Sequence, residues 1–247
     1  MTASRRVQLE PAYLLHQRDW RDSSRIVDLF TRDHGRVTLF AKGVRRAGSG
    51  WPAVLLPFAP LLVSWSGSGD GGTLTAAELS GRPAPVAPGC LMSAFYLNEL
   101  VLKLLGREDP HPDVHEAYAM ALAALADRAT EHRALRLFEK RLLEAIGVGL
   151  EYAHVVSGGS RVEPDTYYHV DPARGVTGPA RAAGEASACL GADLLSLGSE
   201  ELATPASLAT ARRVLRAAID AALDGRELSS RRVARAVHGL RVGKEES

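Results

Sequence analysis

From Pro11 to about Ser80 the chain alternates short runs of strand-forming residues with turn residues, and no helical period there is long enough to compete. That pattern excludes a helical bundle for the first third of the molecule. Five strands are expected, at about Ala12 to Arg18, Ser24 to Thr31, Arg36 to Lys42, Phe58 to Ser66 and Thr73 to Leu79. Arg32-Asp33-His34-Gly35 joins the second to the third, with Gly35 free to take positive φ, and the run from Ser66 to Gly72 joins the last two as a flexible hairpin tip. Five strands in so short a stretch suit an OB-type barrel, because closure removes the exposed strand edges.

The stretch Arg82 to Gly89 contains three prolines, too many for a helix or a central strand. It is the expected linker, residues 82–89, between a barrel domain of residues 1–81 and a helical domain of residues 90–247. Beyond it the period becomes helical. Leu97, Leu100, Val101, Leu104 and Leu105 share one face, as do Leu135, Phe138, Leu142, Leu143 and Ile146, with an alanine-rich helix from Val114 to Arg128 between them. Gly147 and Gly149 stop the last of these, and a small irregular insert punctuated by glycine and proline follows at about residues 150–190. Pro205 then opens a helix to Leu223, and a short basic helix begins at Ser229. The expected class is α+β, a five-stranded OB-fold barrel followed by helices. A length of 247 residues suits two compact units, since one usually spans roughly 100–150.

Charge is local. The whole chain carries a formal net charge of +1, so no global field draws it to nucleic acid. Between Tyr13 and Arg46, however, Arg18, Arg21, Arg25, Arg32, Arg36, Lys42, Arg45 and Arg46 are opposed only by Asp19, Asp22, Asp28 and Asp33. Arginines on a strand-rich surface are often merely solvated, but these are interleaved with Trp20, Phe30 and Phe40. Barrels of this type track phosphates with cations and stack bases on aromatic rings. The candidate nucleic-acid contacts are therefore Arg36, Lys42, Arg45 and Arg46, supported by Arg18 and Arg21, with Trp20 as a stacking residue and Phe30 in the core. A second cluster, Arg226, Arg231, Arg232, Arg235 and Arg241, lies toward the C-terminus and extends the track if both clusters face one side.

Catalytic signatures are missing. The glycine run at 67–72 is followed by a strand and has no Lys-Ser or Lys-Thr after it, so it is no phosphate loop. His111 and His115 stand four apart beside Glu116 but lack the spacing of a zinc protease, and Pro110 and Pro112 place them at a helix entry where exposed histidines are common. Cys90 and Cys189 are too few for a thiolate zinc site or a disulfide framework, which points to a reducing compartment. No apolar run approaches a membrane span, and no secretory leader is recognisable. A non-catalytic binding protein without cofactor or metal is expected; an RNA-binding or translation-associated OB module and a metal-dependent hydrolase are the competing readings.

Several segments resemble the bacterial RecO family of recombination mediators. They include Tyr13-Leu14-Leu15, Trp20, Asp28-Leu29-Phe30-Thr31, Gly35-Arg36-Val37, Ala41-Lys42-Gly43 and Pro57-Phe58-Ala59-Pro60-Leu61-Leu62. Tyr96-Leu97-Asn98-Glu99-Leu100, Arg136-Leu137-Phe138-Glu139 and Leu142-Leu143-Glu144-Ala145-Ile146-Gly147 continue the match in order. The resemblance implies a protein that binds single- and double-stranded DNA, anneals complementary strands and, with RecR, helps load RecA onto strands coated by single-stranded-DNA-binding protein (SSB). It implies a basic third strand, here Arg36 and Lys42. It also implies a docking site for the acidic, apolar C-terminal tail of SSB, for which Arg136 with Leu97, Val101 and Phe138 are the candidates. Location in the bacterial cytoplasm, at the nucleoid, follows. Many family members carry a four-cysteine zinc module after the third helix; here that region reads EYAHVVSGGSRV, with His154 and Ser157 where thiolates are expected, so a zinc-free insert held by packing is predicted.

Overall fold

The computed structural model describes residues 6–44, 46, 48–67, 71–180, 185 and 188–233. The five expected strands are all present: β1 (Arg6–Trp20), β2 (Ser24–Thr31), β3 (Gly35–Ala41), β4 (Pro60–Ser66) and β5 (Gly72–Leu79). They close into a barrel of order β1-β2-β3-β5-β4, with β3 and β5 parallel and the other neighbours antiparallel. β1 is twice as long as its apolar alternation suggests because it serves two partners. Its N-terminal half pairs with β4 and its C-terminal half with β2, and irregularities between Val7 and Glu10 and between Leu14 and His16 bend it around the barrel. Leu9 sits in the first of these at φ +52°, its amide donating to Ser64 Oγ.

Alternate residues point inward. Ala12, Leu14, Val27, Leu29, Val37, Leu39, Leu61, Val63, Trp65 and Leu74 fill the barrel, and a four-residue helix, α1 (Trp51–Val54), packs against this core with Leu55 and Leu56. After a 3₁₀ turn at Pro88–Cys90 come α2 (Leu91–Leu104), α3 (Pro112–Ala124) and α4 (Arg128–Ala145). The expected helix from Val114 to Arg128 is α3, which starts two residues earlier and ends at Ala124, and Arg128 already opens α4.

The insert is more regular than its glycines and prolines suggest. β6 (Tyr167–Asp171), β7 (Gly175–Pro179) and β8 (Ala188–Leu190) form an antiparallel sheet of order β7-β6-β8. α5 (Gly191–Gly198) follows, then α6 (Pro205–Ala222), opened by a capping box between Thr204 and Ser207 with proline in the first turn.

The chain divides into two compact units, Met1–Arg128 with Leu228–Ser247, and Ala129–Glu227. The first unit therefore holds the barrel, α2, α3 and the returning C-terminal segment. Tyr13 and Phe30, on the outer face of β1 and β2, pack against His115 and Tyr118 of α3, and Asn98 of α2 donates to the Leu15 carbonyl while accepting from Tyr118. Asn98 is buried with both amide ends used, as a polar group inside a protein must be.

Candidate nucleic-acid interface

The outer face of the barrel has two ends with different surroundings. At the end of the β2–β3 hairpin it is covered by α3 and by the loop after α2: Gly35 at φ +66° lies so close to Asp109 that a Cβ would stand 2.2 Å from its carbonyl oxygen. Arg36 belongs to this covered end. Its side chain is half-buried, Nη2 donates to the Leu105 carbonyl at 3.3 Å, and its own carbonyl accepts from the Glu108 amide.

The opposite end, around the β1–β2 turn, is open. Register places Arg18 opposite Ile26, Trp20 opposite Ser24 and Phe40 opposite Ile26, while Lys42 follows Ala41, the partner of Arg25. Arg18, Arg21, Lys42 and Arg46 are exposed there, and none of them forms an ion pair among the described residues. Arg25 is different: it is held by Asp19 at 3.0 Å and Gln17 at 3.1 Å. Asp28 accepts from Thr38 and pairs with His16. Asp19 is thus taken up by Arg25 and Asp33 lies 3.9 Å from Arg32, while none of the acids pairs with Arg18, Arg21, Lys42 or Arg46 among the described residues. Trp20 is 42% exposed and meets Phe40 with ring centroids 5.9 Å apart, and the Arg21 guanidinium lies 5.9 Å from the indole centroid. Arg45, expected beside this group, and Arg235 lie outside the described residues.

The second basic cluster is seated by a carboxylate that sequence reasoning passed over. Glu99 of α2 accepts the backbone amides of Ser229 and Ser230 at 2.7 and 2.8 Å, and the Ser230 hydroxyl as well, capping the short helix that starts there. Burial opposes its charge, but the Ser230 and Ser229 hydrogen bonds and the nearby Lys103 outweigh that and hold the carboxyl below its usual range. Arg231 lies over Tyr96, 5.6 Å from the ring centroid, and donates to its hydroxyl, whereas Arg232 is exposed. The signal was present in Tyr96-Leu97-Asn98-Glu99, but the partner lies 130 residues away.

The residues named for a tail-docking pocket fall in both units. Leu97 and Val101 are buried in the first unit, and Arg136 and Phe138 are buried in the second, where Arg136 pairs with Glu139. The two histidines considered for a metal have unlike surroundings: His111 faces Asp109 at 3.2 Å, while His115 lies between Tyr13 and Phe30. In the insert, the segment that stands in the place of the family's zinc module offers no fitting donor set among the described residues. His154 is exposed beside Glu151, Ser157 donates to the Thr177 carbonyl, and Val155 and Val162 are buried. Among the described residues no three His, Cys, Asp or Glu side chains are grouped to hold a metal ion. No helix is long and apolar enough to cross a membrane, again among the described residues.

Residues 6–82 match the family model described as "Recombination protein O N terminal", and residues 90–232 match "Recombination protein O C terminal". The chain belongs to the RecO family. It is 42% identical over 230 residues to the DNA repair protein RecO of Methylococcus capsulatus, covering 93% of this chain and 94% of that protein. The DNA repair protein RecO of Alkalilimnicola ehrlichii is 43% identical over 228 residues, covering 92% of this chain and 90% of its own length. That of Azoarcus sp. is 39% identical over 237 residues, with 94% and 97% covered. The family's N-terminal model coincides with the barrel, and its C-terminal model with the helices and insert.

Proposed function

We propose that this chain is a non-catalytic DNA repair and recombination mediator that holds single- and double-stranded DNA on the open end of its barrel, anneals complementary strands and, with RecR, helps load RecA onto strands coated by SSB. One observation carries this reading: four exposed cations, Arg18, Arg21, Lys42 and Arg46, lie on the end of β1, the β1–β2 turn and the segment after β3 of an OB-type barrel, with the exposed Trp20 between Arg18 and Arg21 in the chain. Cations meeting phosphates lower the repulsion between two strands and leave base edges free to pair, which is what annealing needs. Arg45, next to Arg46 in sequence, joins this group in the proposal, and Arg231, Arg232 and Arg235 supply a second contact. Arg36, held by the Leu105 carbonyl, is assigned to anchoring β3 and not to the phosphates.

Replacing Lys42 and Arg46 together with alanine should weaken binding of single strands and duplexes alike, whatever their sequence. It should also shallow the slope of log affinity against log salt by about 1.5, as expected for two lost phosphate contacts. Unchanged affinity and slope would remove the patch from the mechanism. Annealing of SSB-coated strands should fall in the same variant. For the SSB tail, Arg136 is the proposed cation, and because it is buried against Glu139 the tail's acid must take that partner's place; a peptide with acidic residues and an apolar end should bind the intact protein in a salt-sensitive way, and no binding would exclude the tail as a partner.

A further inference from the structure

We infer that Trp20 and Phe40 form a stacking step for unpaired nucleobases, occupied in the free protein by Arg21, and that this step gives the cationic end its preference for single strands over duplex. The inference rests on the phosphate-binding reading above and adds to it a ligand chemistry, the flat face of a base.

The geometry supplies the argument. Of the three tryptophans, Trp65 is inside the barrel and Trp51 is half-buried against its core, whereas Trp20 is 42% exposed. An indole left in water forgoes the burial that its large apolar surface would gain elsewhere. It is left out beside exposed cations, with Arg21 over its ring and Arg18 two residues before it on β1. Small Ser24 stands opposite Trp20 in the register, and the indole reaches past it to Phe40, two strands away. The two rings are tilted by 55°, so they make a step and not a closed stack, and Phe40 leaves an indole face to another partner.

That face carries the Arg21 guanidinium, and Arg21 sits at φ +51° in the turn between β1 and β2. A guanidinium is planar and a base is planar, and both are attracted to an indole face. When a base takes the place, the displaced Arg21 is free to meet the phosphate that comes with it. Bases in a duplex are already stacked on their neighbours and present no free face. Duplex DNA therefore gains only the cation contacts, and a single strand gains both.

A cross-strand aromatic pair can also serve only to hold its hairpin together, and the experiment separates the two roles. Wild-type protein, Trp20→Leu and Phe40→Leu are titrated with a single strand, with an abasic strand of equal length that keeps every phosphate, and with a duplex. Wild type is expected to bind the base-bearing strand about five-fold or more tightly than the abasic one. Trp20→Leu is expected to erase that difference and to leave abasic and duplex affinities, and their salt slopes, as in wild type. Intrinsic fluorescence should be quenched by the base-bearing strand and not by the abasic one. Equal wild-type affinity for both strands overturns the stacking step and leaves the phosphate reading standing. A Trp20→Leu variant that loses abasic and duplex binding equally shows that the indole only supports the fold. Failure of wild type to bind any of the three overturns the phosphate reading itself.

Discussion

The imidazole of His115 lies with its centroid 5.2 Å from those of both Tyr13 and Phe30, and its Nε2 is buried without a hydrogen-bond partner among the described residues. Burial, helped by the positive charge of Arg32, pushes its pKa down to about 4. An unfolded histidine titrates near 6.5, so between these values the unfolded chain binds the extra proton and the folded one does not. Stability is fully present above about pH 6.5 and is lost as the pH falls toward 4, on the order of 1–3 kcal/mol from this group. Denaturant titrations of wild type and His115→Leu across that range should show a shallower pH dependence in the variant; parallel curves would remove His115 as the cause. The sequence shows a histidine at a helix entry, where exposure is the usual outcome. It does not show that α3 turns Val114, His115, Ala117 and Tyr118 toward buried surroundings, because an alanine-rich helix has a weak apolar stripe.

At the scale of elements, the strands were legible because apolar residues alternate and turn residues separate them. The first six residues of β1 were not, since Leu9 at φ +52° and the irregular register before Glu10 break the alternation that would announce them. α1 spans four residues and α5 eight, too short to establish a period. Gly35 was legible as a turn glycine but not as a contact. Its hydrogen atom leaves room for the backbone of Asp109, so Gly35→Ala adds a clash to a left-handed backbone. A loss of about 3 kcal/mol or more is expected in chemical denaturation. Gly48→Ala, also at positive φ but with nothing within 4 Å, should cost only the backbone part. The exposed cationic group was legible as composition alone; that Trp20 meets Phe40 while Arg36 turns to the covered end depends on register, which no local pattern gives.

At the scale of the molecule, the second unit is inserted in the first: the chain leaves at Arg128 and returns at Leu228. A linear division at the prolines puts α2 and α3 with the later helices, whereas their contacts put them with the barrel, through Tyr118, Asn98 and Asp109. Glu99 is what fastens the returning segment. Glu99→Gln keeps the size but weakens the charged cap, and should destabilise the segment from Ser229 by about 1 kcal/mol. Hydrogen exchange of the amides of Ser229 and Ser230 should speed up with no change in those of β6 to β8; unaltered protection would mean that packing of Leu228, not the carboxylate, seats the segment.

That return has a consequence for synthesis. As the polypeptide leaves the ribosome, the barrel strands emerge first, but the serines that Glu99 awaits are translated after the whole second unit. The unit begun first is therefore completed only after the second, and during the interval Glu99 has Lys103 of its own helix beside it but no amides to cap until the segment from Ser229 has been made.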